Sequence, residues 1–141
     1  MIELTIKDRF ELQDLYSRYA HAIDANDGRT WSMCYTHDGL FAATTGRIAG
    51  KVYRGREELE LLGSDPNREP KTRHWNCNYY FIPHEDHIEG RCYVMRIEVE
   101  GDAPVIAASA VYHDVIVRED GQWRFKSRRP QLDLQRKLSQ V

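Results

Sequence analysis

A chain of 141 residues, 41% hydrophobic and 11% aromatic, fits one packed domain and is too apolar to be disordered. Lys plus Arg number 20 against 22 for Asp plus Glu, a formal charge of −2, so no general electrostatic drive toward nucleic acid or an anionic membrane exists. No apolar run approaches the roughly 20 residues of a membrane-spanning helix, and MIELTIKDRF lacks a basic region followed by an apolar stretch, so the expected location is the cytoplasm. Cys34, Cys77 and Cys92 are odd in number and show no paired spacing, which predicts reduced, mostly buried thiols.

Helix signals come first along the chain. Leu12, Leu15, Tyr16, Tyr19 and Ile23 recur at helical spacing and form one apolar stripe, with Thr5 or Asp8 placed to cap it. DANDG at 24–28 breaks that helix, and Asp27 can cap a short second one presenting Trp31, Cys34 and Tyr35 on one side. A turn at 37–39 leads into a strand over 40–44, a second turn at 46–50 into a short strand over 51–54, and Gly55 opens a third helix over 56–62. The polar stretch 63–71, with two prolines, reads as a loop. Strands are predicted over 73–82, 88–100, 105–118 and 123–129, separated by clusters of turn-forming residues. Helices before a run of antiparallel strands argue an α+β fold over residues 1–141, a strongly bent sheet with helices on its concave face and a pocket between them.

Side-chain parity adds detail to the strands. With the final turn centred near Asp120, Val117 faces Trp123, Val115 faces Phe125, His113 faces Ser127 and Val111 faces Arg129. The apolar face then carries His113 and Arg129 inward; a one-residue slip would exchange the two faces. His74, Asn76, Asn78 and Tyr80 share a face of their strand, which is either a solvent face or the wall of a polar cavity. Ile97, Val99 and Ile116 place hydrophobic residues on both parities, which predicts a homo-oligomer, a trimer or a dimer.

Three segments carry a family resemblance. YSRYAHAIDANDGRTWSMCYTHDGLF is similar to the opening of SnoaL-like domains in the NTF2-like superfamily, with a tyrosine five residues before a helix-terminal aspartate. RHWNCN resembles that family's third-strand signature, a histidine four positions before an asparagine, and AVYHDVIVREDGQWRFKSRR resembles its closing hairpin. The hairpin equally resembles the small subunits of ring-hydroxylating dioxygenases. The resemblance implies an NTF2-like cone and, for its catalytic members, dehydratases, a dehydrochlorinase and polyketide cyclases that use neither metal nor organic cofactor. It implies Asp24 and His74 as a catalytic pair, Tyr19 as a hydrogen-bond donor, and Arg129, or else Arg128, as a cavity arginine. Asn78, His113, Tyr35 and Trp31 are the further candidates for contact with a small cyclic ligand.

Each candidate has a plainer role to set beside the chemical one. Aspartates at helix ends commonly serve local backbone bonds, and Tyr19 lies on the apolar stripe. Arg129 belongs to a basic run at 126–129 typical of a solvated strand end. His84-Glu85-Asp86-His87 resembles a metal site by composition, but four adjacent turn residues cannot converge on one ion, so no metal is expected. Three functions follow: a cofactor-free lyase or isomerase, a non-catalytic partner of a dioxygenase large subunit, or a binding domain without chemistry.

Overall fold

The computed structural model describes residues 1–44, 46–68 and 71–133. Residues 69 and 70 of the predicted loop, and the end of the chain beyond 133, lie outside the described residues. Helix α1 (Ile6–Asp24) starts at a reciprocal cap: Thr5 Oγ1 accepts from the Asp8 N–H at 3.1 Å, and the Asp8 carboxylate accepts from the Thr5 N–H at 2.9 Å. Its stripe of Leu12, Leu15, Tyr16 and Tyr19 is buried, each such side chain contributing about 1.5–3 kcal/mol by leaving water. After α1 the chain reverses through Asn26 at φ 58°, and the Asp27 carboxylate caps α2 (Gly28–Met33) by accepting from the Thr30 N–H at 3.0 Å.

Helix α3 (Gly55–Gly63) packs directly on α2. A Cβ on Gly28 would stand 2.2 Å from the Glu60 carbonyl oxygen, and one on Gly63 would stand 2.9 Å from the Trp31 ring. The absent side chains therefore let the two helices approach closely and fix where Trp31 lies.

Six strands form one sheet: β1 (Tyr35–Ala42), β2 (Val52–Arg54), β3 (Thr72–Pro83), β4 (Ile88–Glu98), β5 (Val105–Glu119) and β6 (Gln122–Leu132), in the order β2-β1-β6-β5-β4-β3. Every neighbouring pair is antiparallel except β1 with β6, which is parallel. The predicted turn at 37–39 is instead part of β1, and its Gly39 marks an irregularity where the pairing with β6 shifts between Tyr35 and Leu40. Tyr35 thus opens a strand and is not on the second helix. Helix α1 lies across the sheet, with its rings packed edge to face on Phe81 and Phe125.

The last hairpin corrects the predicted register. Asp120 and Gly121, at φ 51° and 74°, form a two-residue loop that pairs Glu119 with Gln122 and so Arg118 with Trp123. Lys126 is then an extra residue on β6, because Ile116 pairs with Phe125 but Val115 with Ser127. The inward residues are Ala110, Tyr112, Asp114 and Ile116, opposite Trp123, Phe125 and Arg128. His113 and Arg129, paired with each other, face outward. Similarly, the register of β3 shifts between Cys77 and Tyr80, with Asn78 at φ 55°, so Asn78 and Tyr80 leave the face shared by Thr72, His74 and Asn76. All three thiols are free; Cys34 and Cys92 are buried, but Cys77 is exposed. Among the described residues no helix is long and apolar enough to cross a membrane.

Candidate active site

The concave side of the sheet is divided along its length. One half is packed solid by Tyr16, Phe125, Ile88 and Ile116, while the other holds a half-open cavity of about 310 Å³. That size falls at the lower end of small-molecule pockets. The C-terminal half of α1 gives it Tyr19 and Ile23, α2 gives Trp31, and α3 gives Leu62. The strands contribute Phe41, Thr72, His74, Val94, Arg96, Ala108, Ala110, Tyr112, Pro130 and Leu132. Asp65 and Arg68 of the loop after α3 close one side, Arg68 donating to the Asn26 side chain and the Gly63 carbonyl.

Asp24 and His74 meet at this wall. Asp24 is the last residue of α1, and its carboxylate accepts twice from the start of β3: Oδ2 from the His74 backbone N–H at 2.9 Å, and Oδ1 from the ring Nδ1 at 2.6 Å. The two bonds fix both the position of the strand and the plane of the ring. A carboxylate on Nδ1 selects the tautomer that carries its proton there, which leaves the Nε2 lone pair as the ring's basic site. The side chains of His74 and Asp24 retain 17% and 10% exposure, so the pair is sheltered without being sealed from a ligand.

Tyr19 lies among the rings of Trp31, Tyr35, Tyr112 and Phe125. Burial pushes its hydroxyl pKa up, opposed by the positive charge of Arg128, so the phenol stays protonated and able to donate. Arg128 is wholly buried behind this cluster. Its guanidinium carbon stands 4.2 Å from the centre of the Tyr19 ring and 3.9 Å from that of Tyr112. Its Nε and Nη2 donate to the two oxygens of Asp114 at 2.8 and 2.7 Å, and Asp114 also accepts from the Tyr16 hydroxyl. Among the described residues, Arg128 Nη1, Trp31 Nε1 and Tyr35 Oη are buried around the Tyr19 side chain with no well-formed hydrogen bond.

The sequence candidates therefore separate. His74, Tyr19 and Trp31 line the cavity and Asp24 stands behind His74 as its hydrogen-bond partner, whereas Tyr35 and Arg128 stand behind the wall in the core. Asn78 and His113 lie on the far face of the sheet, where His113 Nε2 is 2.9 Å from Gln131 Oε1, and Arg129 is exposed there. The arginines that do reach the cavity are Arg68 and Arg96. Arg96 was legible: Ile88, Gly90, Cys92 and Val94 alternate inward along β4, and the same parity continues to it. Among the described residues no three His, Cys, Asp or Glu side chains converge as a metal ion would require.

A bent, mainly antiparallel sheet wrapped over N-terminal helices around a pocket is the NTF2-like, cystatin-like fold. The chain belongs to the SnoaL-like domain family, whose model matches residues 4–129, a family that includes cofactor-independent polyketide cyclases and isomerases. No curated protein sequence matches it significantly. Among solved structures, an aspartate-to-asparagine variant of Rv3472 from Mycobacterium tuberculosis, a protein of unknown function, is 29% identical with a TM-score of 0.80, over 89% of this chain and 72% of that one. A protein from Catenulispora acidiphila in complex with S-DNPA is 25% identical with a TM-score of 0.79, over 92% and 96% of the two chains. ActVI-ORFA from Streptomyces coelicolor, 23% identical with a TM-score of 0.75 over 89% and 97%, shares the fold.

Proposed function

We propose that this protein is a cofactor-independent lyase or isomerase that removes a proton beside a carbonyl group of a small cyclic substrate. The observation that carries the reading is the 2.6 Å contact between His74 Nδ1 and Asp24 Oδ1 at the wall of the cavity. His74 Nε2 takes the proton from carbon, and the C–H electron pair moves onto the carbonyl oxygen as an enolate. Asp24 stabilises the imidazolium that forms, as a carboxylate does wherever it orients a catalytic histidine. The Tyr19 hydroxyl donates to the developing oxyanion. Collapse of the enolate then expels a leaving group from the neighbouring carbon, or the proton returns elsewhere to give an isomer. The small-molecule complex of the Catenulispora acidiphila relative supports a ligand in this cavity. An assembly role beside a dioxygenase large subunit needs no such pair.

Hydrogen–deuterium exchange tests the step without knowledge of the physiological substrate. 2-Tetralone in deuterated buffer should exchange its α-protons faster with the protein than without it. His74→Ala should remove most of that acceleration, since a general base contributes roughly 10²–10⁴-fold. Asp24→Asn should cause a comparable loss by releasing the ring from its working tautomer. Equal exchange rates for the native protein and a folded His74→Ala variant would leave a binding domain in place of an enzyme.

A further inference from the structure

Among the described residues, no acid pairs with one arginine of the cavity. Arg96 sits directly opposite His74 on β3 and Ala108 on β5, with its side chain at the cavity. It makes no hydrogen bond or ion pair with any described residue, and its Nε is buried without a partner. The other arginines with buried or half-buried guanidinium groups behave differently. Arg128 is held by Asp114, Arg56 and Arg124 by Glu119, and Arg68 donates to the Asn26 side chain and the Gly63 carbonyl. Asp24, the acid beside His74, already holds both the ring and the backbone of that residue.

Burying part of a guanidinium without a counter-charge is unfavourable, and an anion brought by a ligand removes that penalty. A guanidinium offers paired N–H groups that match the two oxygens of a carboxylate. Ile23, Leu62, Val94, Ala108 and Ala110 give the cavity an apolar wall, Asp65 and Arg68 lie at its loop side, and there is space for about one fused ring system. We propose that Arg96 binds a carboxylate of the substrate, so that the cavity takes a small organic monoanion with an apolar cyclic body. This rests on the reading of the cavity as the substrate site. Residues opposite each other on neighbouring strands have Cβ atoms about 4.5–5.5 Å apart. The bound carboxylate therefore lies beside the His74 ring, and the carbon that loses its proton lies within a few bonds of it.

Calorimetric binding of 2-naphthoate and 2-naphthamide separates charge from shape, because the two differ chiefly in the carboxylate. The native protein should bind the naphthoate at least about tenfold more tightly, as expected for a charged hydrogen-bonded pair. Arg96→Gln should erase that preference while leaving naphthamide binding unchanged, which also reports that the variant is folded. Arg96→Lys should keep part of the preference and serves the same purpose if the glutamine variant does not fold. His74→Ala and Arg68→Gln should both retain it. The anion site is overturned by equal binding of the two ligands, by a preference that survives in Arg96→Gln, or by its loss in Arg68→Gln instead. It is overturned equally by loss of both ligands in a folded Arg96→Gln, or by no saturable binding of naphthoate at millimolar concentration. The proton-transfer reading is judged separately, by whether His74→Ala abolishes exchange in 2-tetralone. Either proposal can fail while the other stands.

Discussion

Arg128 and Arg129 show how far one residue of register reaches. The first is at 0% exposure, its guanidinium spread between aromatic rings and clamped by Asp114; the second projects into solvent on the opposite face. Removing Arg128 would strand the Asp114 carboxylate in the core, and breaking one partner of such a pair costs about 3–5 kcal/mol. Arg128→Met should therefore lower unfolding stability by that amount in urea titrations. The double variant with Asp114→Leu should recover part of the loss, since no lone charge remains. A single variant within 1 kcal/mol of the native protein would show that the pair is not a mainstay of the core. The basic run at 126–129 could not reveal this arginine, because its direction depends on the Asp120-Gly121 loop and on Lys126 standing out of register. Asp24 and His74 were named as a pair through the resemblance to SnoaL-like domains. A helix-ending aspartate and a polar strand face are local features, but alone they left a plain structural role open for each residue, and their contact is a finding of the structure.

At the scale of the element, the start of α1 is tied to the far edge of the last hairpin. Asp8 caps its own helix, accepts from Trp123 Nε1 at 3.1 Å, and pairs with Arg118, whose guanidinium lies 4.3 Å from the Trp123 ring centre. The hydrogen bonds from Thr5 first, then those from Trp123 and the charge of Arg118, hold the Asp8 carboxyl down to about 2 despite its burial. Its folded value is thus below the unfolded one near 3.8, so its contribution is complete above about pH 4 and disappears as pH falls toward 2. Asp8→Ala should cost about 0.5–2 kcal/mol at neutral pH through the lost cap. The gap between native and variant melting curves should narrow steadily below pH 4; a gap independent of pH would mean that packing, not the carboxylate, sets the cost. The cap was readable from Thr5 and Asp8 alone, whereas the bulge at Asn78 was not. Asn76 and Asn78 stand in the same run of strand formers and nothing local tells which takes a positive φ, yet only Asn78 does, and it breaks the expected line of His74, Asn76, Asn78 and Tyr80.

Over the whole molecule, the α+β order of elements was evident because helical and alternating periodicities occupy separate stretches of the chain. The placement of β1 was not, since its parallel pairing with β6 joins segments far apart in sequence, and no local pattern announces it. The outer surface differs in part from expectation: Val99 is exposed but Ile97 and Ile116 are buried, and further exposed apolar side chains include Trp75, Tyr80 and Tyr93, with Val52, Val105 and Ile106 toward the ends of their strands. Aromatic groups so openly placed favour contact with a second copy of the chain. Light scattering should return a dimer or a trimer at micromolar concentration, and a Trp75→Ser, Tyr93→Ser double variant should shift it toward monomer. A monomeric native protein would be inconsistent with that expectation.

The parallel seam between β1 and β6 has a temporal consequence. During synthesis the segment bearing β1 leaves the ribosome long before its partner β6 exists, and Phe125, whose N–H bonds the Cys34 carbonyl at 2.9 Å, is made well after it. Until then Trp31, Tyr35 and Phe41 have no sheet to cover them. Contacts this distant in sequence form slowly, and apolar surface waiting for them invites association with other nascent chains. The helical half is thus the segment for which a chaperone has most to shield, and the pocket takes shape only with the last strand.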